Sequence, residues 1–284
     1  MKKTSEFKKS GILYLISTPI GNLKDISERA LETLKSLDIL FCEDTRVTSK
    51  LLSHFSINLP LDSYHDFSKL EKEDKILSLL ESGKVVGLVS DAGSPIISDP
   101  GYELVKRAVE SNFKVYHIPG SSAGLSALCL SSLPPRPYLF YGFLDKQDSK
   151  KIEELEKLES YPFTIIFYES PLRIKKTLKD IYSVFGERKA SISRELTKMY
   201  EETIYLNLSE YESLEDDIKG EMVLVVEGKT TSNDDKTKIY TKAMDKLLKD
   251  GYSINEASKI VASLYSLKRK EIYDEYMRRQ KWKY

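Results

Sequence analysis

Four short segments carry residues whose types and spacing suit ligand chemistry, and each follows a run that reads as a β-strand. Thr18-Pro19-Ile20-Gly21-Asn22 joins a rigid proline to a glycine, which tightens a turn and lets backbone come close to a ligand. It also reads as a plain strand-to-helix turn. Glu43-Asp44-Thr45-Arg46 sets two acids beside a hydroxyl and a guanidinium, a dense polar knot. The plainer use is a surface ion pair with Thr45 capping a helix. The run SDAGSPIISDPG, residues 90–101, is a shaped loop of small residues with two prolines and two glycines. Long loops without secondary structure inside compact domains are usually functional. Asp99-Pro100 also fits a helix start with proline in its first position. Pro119-Gly120-Ser121-Ser122-Ala123-Gly124 offers hydroxyls and backbone N–H groups at a helix start, which suits a carboxylate. Capping by Ser121 or Ser122 is the ordinary alternative.

The elements around these loops follow from hydrophobic periodicity. Residues 12–17, 39–42, 85–89 and 114–118 read as strands, with helical patterns at 26–37 and 102–111. Asp25 followed by Glu28 resembles a capping box. Strand–helix alternation predicts a mostly parallel sheet covered by helices, and ligands of such sheets sit outside the carboxyl ends of the strands. Leu133-Pro134-Pro135-Arg136-Pro137 can neither continue a helix nor enter a central strand, so a domain boundary is expected there. Beyond it, strands are expected at 138–143, 163–168, 191–195, 203–207 and 222–226, with helices at about 149–159 and 173–185. Residues 228–238 read as a polar linker. Two or three helices complete the chain, with a glycine turn at Gly251 resembling a helix-turn-helix and a capping box at Ser253 and Glu256. The expected organisation is a basic tail at 1–10, α/β domains at 11–133 and 134–228, and a linker with a small helical domain at 229–284.

Composition narrows the function classes. The 284 residues hold 44 Lys+Arg against 44 Asp+Glu, and 40% are hydrophobic, an ordinary globular balance. A net charge of +0 counts mildly against a strong RNA binder. Charge is uneven, however: residues 232–284 carry 13 Lys+Arg against 8 Asp+Glu, and the first ten residues are lysine-rich. Cys42 and Cys129 read as small core residues of a reducing compartment. Three scattered histidines, His54, His65 and His117, give a zinc site little to build on. No apolar run approaches the roughly 18 residues of a membrane span, and a cytoplasmic protein is expected. GxGxxG, GxxxxGK[ST] and HExxH are all absent, which argues against dinucleotide dehydrogenases, P-loop NTPases and zincins.

Seven motifs in order resemble the tetrapyrrole-methylase-like superfamily, the class III S-adenosylmethionine methyltransferases, and in particular its ribosomal branch. They are TPIGNLKDIS at 18–27, CEDTR at 42–46, LVSDAGSPIISDPG at 88–101, IPGSSA at 118–123, FYESPLR at 167–173, RELTK at 194–198 and KGEMVLVVEG at 219–228. They span residues 11–228, and the C-terminal helices are similar to a small extra domain of that branch. Each motif alone is weak; the ordered set is specific. Ser94 stands where the family has threonine, and Ser121-Ser122 where another proline often comes first.

The resemblance implies two α/β domains of the tetrapyrrole methylase type with S-adenosylmethionine in the cleft between them, no metal, and a homodimer. It implies cofactor contacts at Pro19, Asp91, Gly93, Pro95, Ile96, Ser121, Ser122 and Ala123 from the first domain. From the second it implies Tyr168, Leu196, Gly220 and Glu221. The implied reaction is 2′-O-methylation of a cytidine in the decoding region of 16S rRNA within the 30S subunit. Asp44 and Glu169 are candidate bases or orienting groups. Arg46 and Lys198 would hold phosphate or lower the hydroxyl's pKa, and Arg173, Arg194, Lys268 and Arg269 would contact RNA. His65 would line the entrance. For each charged residue a structural ion pair is the plainer role. Two other functions share these features: a small-molecule methyltransferase of the same fold acting on a tetrapyrrole, and a non-catalytic RNA-binding assembly factor.

Overall fold

The computed structural model describes residues 11–65, 69–215, 218–230, 233–265 and 267–281. They fall into two compact units, one ending at Gly228 and one starting at Lys229. The first unit opens with β1 (Ile12–Ile16), α1 (Glu28–Ser36), β2 (Ile39–Cys42), α2 (Thr45–His54), β3 (Leu61–Ser63) and α3 (Lys69–Glu81). It continues with β4 (Val85–Val89), α4 (Tyr102–Glu110), β5 (Lys114–Ile118) and α5 (Ala123–Leu130). The five strands form a wholly parallel sheet in the order β3-β2-β4-β1-β5. Central β4 is an unbroken apolar run because helices cover both faces of such a sheet. One face packs Leu13, Phe41, Ile76, Leu80 and Leu104 together, the other Ile16, Leu34, Leu40 and Leu52.

The second half of this unit holds β6 (Tyr138–Phe143), α6 (Asp148–Leu158), β7 (Thr164–Glu169) and α7 (Pro171–Phe185). It ends with β8 (Lys189–Arg194), β9 (Glu202–Asn207) and β10 (Met222–Val226). These strands make a mixed sheet, β6-β7-β10-β8-β9, with only β6 and β7 parallel. Phe167, Leu224, Ile192 and Leu178 centre its main core. The opposite face is covered by α5, whose Ala127 and Leu128 pack with Ile166, Val223 and Val225. α5 therefore precedes the proline break in sequence but belongs to the second sheet in space.

The second unit is three helices, α8 (Asn233–Lys249), α9 (Ile254–Tyr265) and α10 (Arg269–Lys281), around Met244, Ala257, Val261, Ile272 and Tyr276. The expected capping box forms: the Glu256 carboxylate accepts from the Ser253 N–H, 2.9 Å, and Ser253 Oγ accepts from the Glu256 N–H, 3.3 Å.

Several expectations need correction. The cap of α1 is Ser27, whose Oγ accepts from the Ala30 N–H at 3.1 Å, while Asp25 ends a separate 3-10 turn. Ser27→Ala removes that bond and is expected to cost about 1 kcal/mol in denaturant unfolding. Asp99-Pro100 does not start α4, which begins at Tyr102 after Gly101. Thr45 is the first residue of α2, and Asp44 caps it. Of the two serines expected to cap α5, Ser122 does so, as expected. Cys42 is buried as expected, but Cys129 is exposed, on the outer side of α5. Much of the expected linker is helix, since α8 starts at Asn233. The strand expected at 191–195 runs from Lys189 to Arg194, because Glu195 turns out of it with φ 51°.

Candidate functional site

The carboxyl ends of β1, β2, β4 and β5 open toward the second sheet, and a cavity of about 670 Å³ lies there. From the first half it is walled by Ile20, Glu43, Asp91, Ile97, Asp99 and Ala123. From the second half come Phe143, Tyr168, Glu169, Leu196, Lys198 and the Gly220-Glu221-Met222-Val223 run. Two loops bend sharply to make these walls. Ile96 and Ser98 in one, Glu195 and Thr197 in the other, all hold positive φ without being glycine. Such strain persists only where surrounding structure enforces it, and it clusters at functional sites.

The halves meet closely at Gly21. A Cβ there would stand 2.6 Å from Lys198 Cγ, 2.8 Å from Thr197 Oγ1 and 2.9 Å from the Leu196 carbonyl oxygen. Gly220 has φ 98°, and a Cβ on it would strike the Glu195 side chain at 2.5 Å. Only glycine fits both demands there. The Glu195 side chain is in turn fixed: its Oε1 accepts from Lys198 Nζ at 2.9 Å and from the Glu221 N–H at 3.1 Å. Lys198 also donates to Glu221 Oε2 at 3.0 Å. Burial opposes the Lys198 charge, but these two carboxylates hold its pKa above the ordinary lysine value. The Tyr168 ring stands edge-on to Phe140 and Phe143, with centroids 5.1 and 5.4 Å away. Burial raises the pKa of its hydroxyl.

The expected site residues divide by position. Asp91, Ala123, Tyr168, Glu169, Leu196, Lys198, Gly220 and Glu221 line the main cavity. Pro19 lines a neighbouring pocket of about 340 Å³ beside Lys50, with Asp91 as the shared wall. Ser121 and Ser122 line a third hollow with Leu196 and Thr197. Gly93, Pro95 and Ile96 line none of these. Gly93 instead bridges to Thr18, with N–H to O distances of 2.8 and 3.1 Å, and Ile96 packs into the first core. The loop turns its next residues, Ile97, Ser98 and Asp99, to the cavity.

Asp44 and Arg46 are outside the cavity lining. Arg46 Nη2 meets Asp44 Oδ2 at 2.5 Å, and the Arg46 side chain is 86% exposed. Hydrogen bonding to Arg46 pulls the Asp44 pKa down to about 2. The sign follows: the pair favours folded protein above the ordinary carboxylate pKa, and that help is lost as pH falls toward 2. Arg46→Ala is expected to return the Asp44 midpoint toward 3.8, read by carboxyl NMR titration. Asp44 does reach the site through its backbone, whose N–H donates to Asp91 Oδ1 at 3.1 Å.

Glu169 is buried and engaged at both oxygens. Oε1 accepts from the Ser170 N–H at 2.8 Å and Oε2 from Thr177 Oγ1 at 2.6 Å, while Arg173 Nε lies 3.4 Å from Oε1. Arg173 further donates to the Leu144 and Asp145 carbonyls. Arg194 is paired with Glu202 at 2.6 Å. Lys268 and Arg269 belong to the second unit, where Lys268 is exposed and Arg269 donates to Asn255.

Sequence reasoning missed Asp99, Phe143 and Glu195 as wall residues. Asp99 stood inside a flagged loop, and Phe143 ends a strand whose carboxyl end faces the cavity. Glu195 lies within RELTK and had no signal of its own.

The family profile of Tetrapyrrole (Corrin/Porphyrin) Methylases matches residues 12–212. A Bacillus subtilis protein named Ribosomal RNA small subunit methyltransferase I is 43% identical, covering 94% of each chain. The chain belongs to the tetrapyrrole methylase family, in this ribosomal branch. A Streptococcus pyogenes protein of the same name is 41% identical to this methylase over 97% of its chain and 98% of the relative. Its fold is also that of a crystal structure of diphthine synthase, with a TM-score of 0.61 at 16% identity, covering 78% of this chain and 91% of that one. The α/β methylase architecture with appended helices agrees with the fold class expected from the motifs.

Proposed function

We propose that the protein transfers the methyl group of S-adenosylmethionine to the ribose 2′-oxygen of a cytidine in the decoding region of 16S rRNA, presented within the 30S subunit. The observation that carries this reading is the cavity of about 670 Å³ between the two sheets, in a chain so similar to small-subunit rRNA methyltransferases. Its volume is within the range that ordinarily encloses a ligand of the donor's size. The donor set fits too. Ile20, Leu196 and Val223 give an apolar wall for a purine ring, and Glu43, Asp91 and Asp99 favour a nearby cation.

When bound, the donor supplies an electrophilic methyl group on a sulfonium ion. The protein's own residues do the rest. The Asp44 backbone holds Asp91 in place, and Lys198 locks Glu195 and Glu221 into the opposite wall. Alignment of two reactants between fixed walls is a large contribution that such a site can make. Glu169, already satisfied by Ser170 and Thr177, orients the start of α7. Lys268 and Arg269 are assigned to backbone phosphates of the RNA, where contacts position without reading sequence. Arg173 and Arg194 each hold a glutamate and are assigned to the rim the RNA approaches. In this reading the protein works in the cytoplasm as a homodimer, with α/β domains at 11–133 and 134–228 and a helical domain at 229–284.

The test is mapping of 16S rRNA ribose methylation in cells with and without the gene, followed by transfer to purified 30S particles. Loss of the decoding-region methyl group in the deletion, and its restoration by the protein, is expected. An unchanged methyl group would overturn the substrate. Donor binding without transfer to 30S particles would point to a small-molecule acceptor, and no donor binding to a non-catalytic assembly factor.

A further inference from the structure

A donor cavity needs a second space beside it, from which the acceptor can reach the methyl group. The hollow of about 340 Å³ lined in part by Leu23, Val47, Lys50, Leu51 and Asp91 lies in that position. Asp91 lines both spaces, and the reading above sets the donor's cation beside it. The turn after β1 also serves both, with Ile20 on the cavity and Leu23 on the hollow. Across from that turn, α2 supplies Val47, Lys50 and Leu51. The Asp44 N–H at the start of α2 donates to Asp91 Oδ1 at 3.1 Å. The outer wall of the hollow is therefore anchored to the residue it shares with the donor cavity.

The lining matches one chemical class. Leu23 is 39% and Val47 43% exposed, so two large apolar side chains on the hollow stay open to water instead of packing inward. Lys50 is exposed beside them, and among the described residues it forms no ion pair. Nearby cations are already committed: Arg46 to Asp44, and Lys198 to Glu195 and Glu221. Ligand pockets run from about 300 to 1,000 Å³, and this one is near the small end of that range. An apolar slot of this size with one ammonium at its side suits a single base and sugar with a phosphate attached. Unpaired RNA offers bases to such slots, whereas paired RNA is read through its backbone.

We propose that this hollow seats the acceptor nucleoside, with its base between Leu23 and Val47, its ribose toward Asp91 and its phosphate on Lys50. The proposal rests on the methyl-transfer reading above and gives the acceptor a place within it. Two variants test it on the full-length protein. Val47→Trp fills the slot. It is expected to keep S-adenosylmethionine affinity in calorimetry and to lower single-turnover transfer to 30S particles about 100-fold, the effect of a displaced reactant. Lys50→Ala leaves the slot open and removes one phosphate contact. It should raise the half-saturating 30S concentration about 2- to 5-fold, as loss of an exposed ion pair does. It should also make the salt dependence of 30S binding shallower by about one in log–log slope. Lys50→Arg should restore both values. A merely structural lysine would not move the salt slope.

Normal transfer by Val47→Trp would overturn the proposal, and so would loss of donor binding in that variant, which would give the hollow to the donor. An unchanged salt slope in Lys50→Ala would remove the phosphate contact and overturn the proposed pose. If the unaltered protein neither binds the donor nor methylates 30S particles, the methyl-transfer reading itself falls and the proposal with it. That result is distinct from a failure of the hollow alone.

Discussion

Gly21→Val is expected to lower methyl transfer about 100-fold, because a misplacement of about 1 Å in a reaction site can cost that much. Gly21 carries no chemistry. Its role is to let the turn after β1 touch residues 196–198 across the cavity mouth. Of the three atoms a Cβ would strike, Lys198 Cγ can swing aside, but the Leu196 carbonyl oxygen at 2.9 Å is backbone and can yield only if the turn moves. That turn carries both Leu196, a wall of the cavity, and Lys198, which holds Glu195 and Glu221. Moving it disturbs four wall residues together. Gly21→Ala should show the same defect in milder form. The measurements are donor affinity by calorimetry and single-turnover rate. A valine variant at the normal rate would show that the close approach does not set the cavity's shape.

Phe167→Ala is expected to cost about 3–5 kcal/mol, the usual range for deleting a buried aromatic ring. Phe167 is fully buried in β7, opposite Leu224 of β10, with its ring centroid 5.6 Å from that of Tyr141. Domains have only about 5–15 kcal/mol in total, so the loss is a large share of the whole. It should appear as a lower denaturant midpoint followed by far-ultraviolet circular dichroism. Phe167→Leu fills most of the same space and should lose much less. An alanine variant unfolding at the normal midpoint would mean that the second sheet does not limit stability.

The elements read correctly from sequence are those whose burial is simple. β4 and β10 are apolar along their whole length because both faces are covered. The elements missed have mixed surroundings. α3 buries Ile76 and Leu80, but also Glu73, which breaks its apolar stripe on paper. Tyr64 and Arg107, distant in sequence, make that burial tolerable by bonding the carboxylate at 3.1 and 3.0 Å. β3 is a three-residue edge strand, half-exposed throughout, and has no pattern to detect.

The candidate site was legible as loops before it was legible as residues. Glycine and proline marked the turns after β1, β4 and β5, and the polar EDTR run marked the one after β2. Which side chain in a bent loop faces the cavity depends on φ values such as those of Ile96 and Ser98, which no periodicity encodes. That is why Ile96 was expected at the cavity and Asp99 was not. Arg46 was conspicuous for its charge, yet two residues apart on an exposed turn, Asp44 and Arg46 satisfy each other.

The placement of α5 bears on how the chain can be divided. A polypeptide starting at the proline break would lack the one helix that shields Ile166, Val223 and Val225. Its sheet would be born with a naked greasy side and would clump. The piece ending at the break would carry an orphan helix with nowhere to dock. The stretch that looks like a seam in the text is thus a poor place to cut, and truncation experiments should keep both sides of it on one strand of polypeptide.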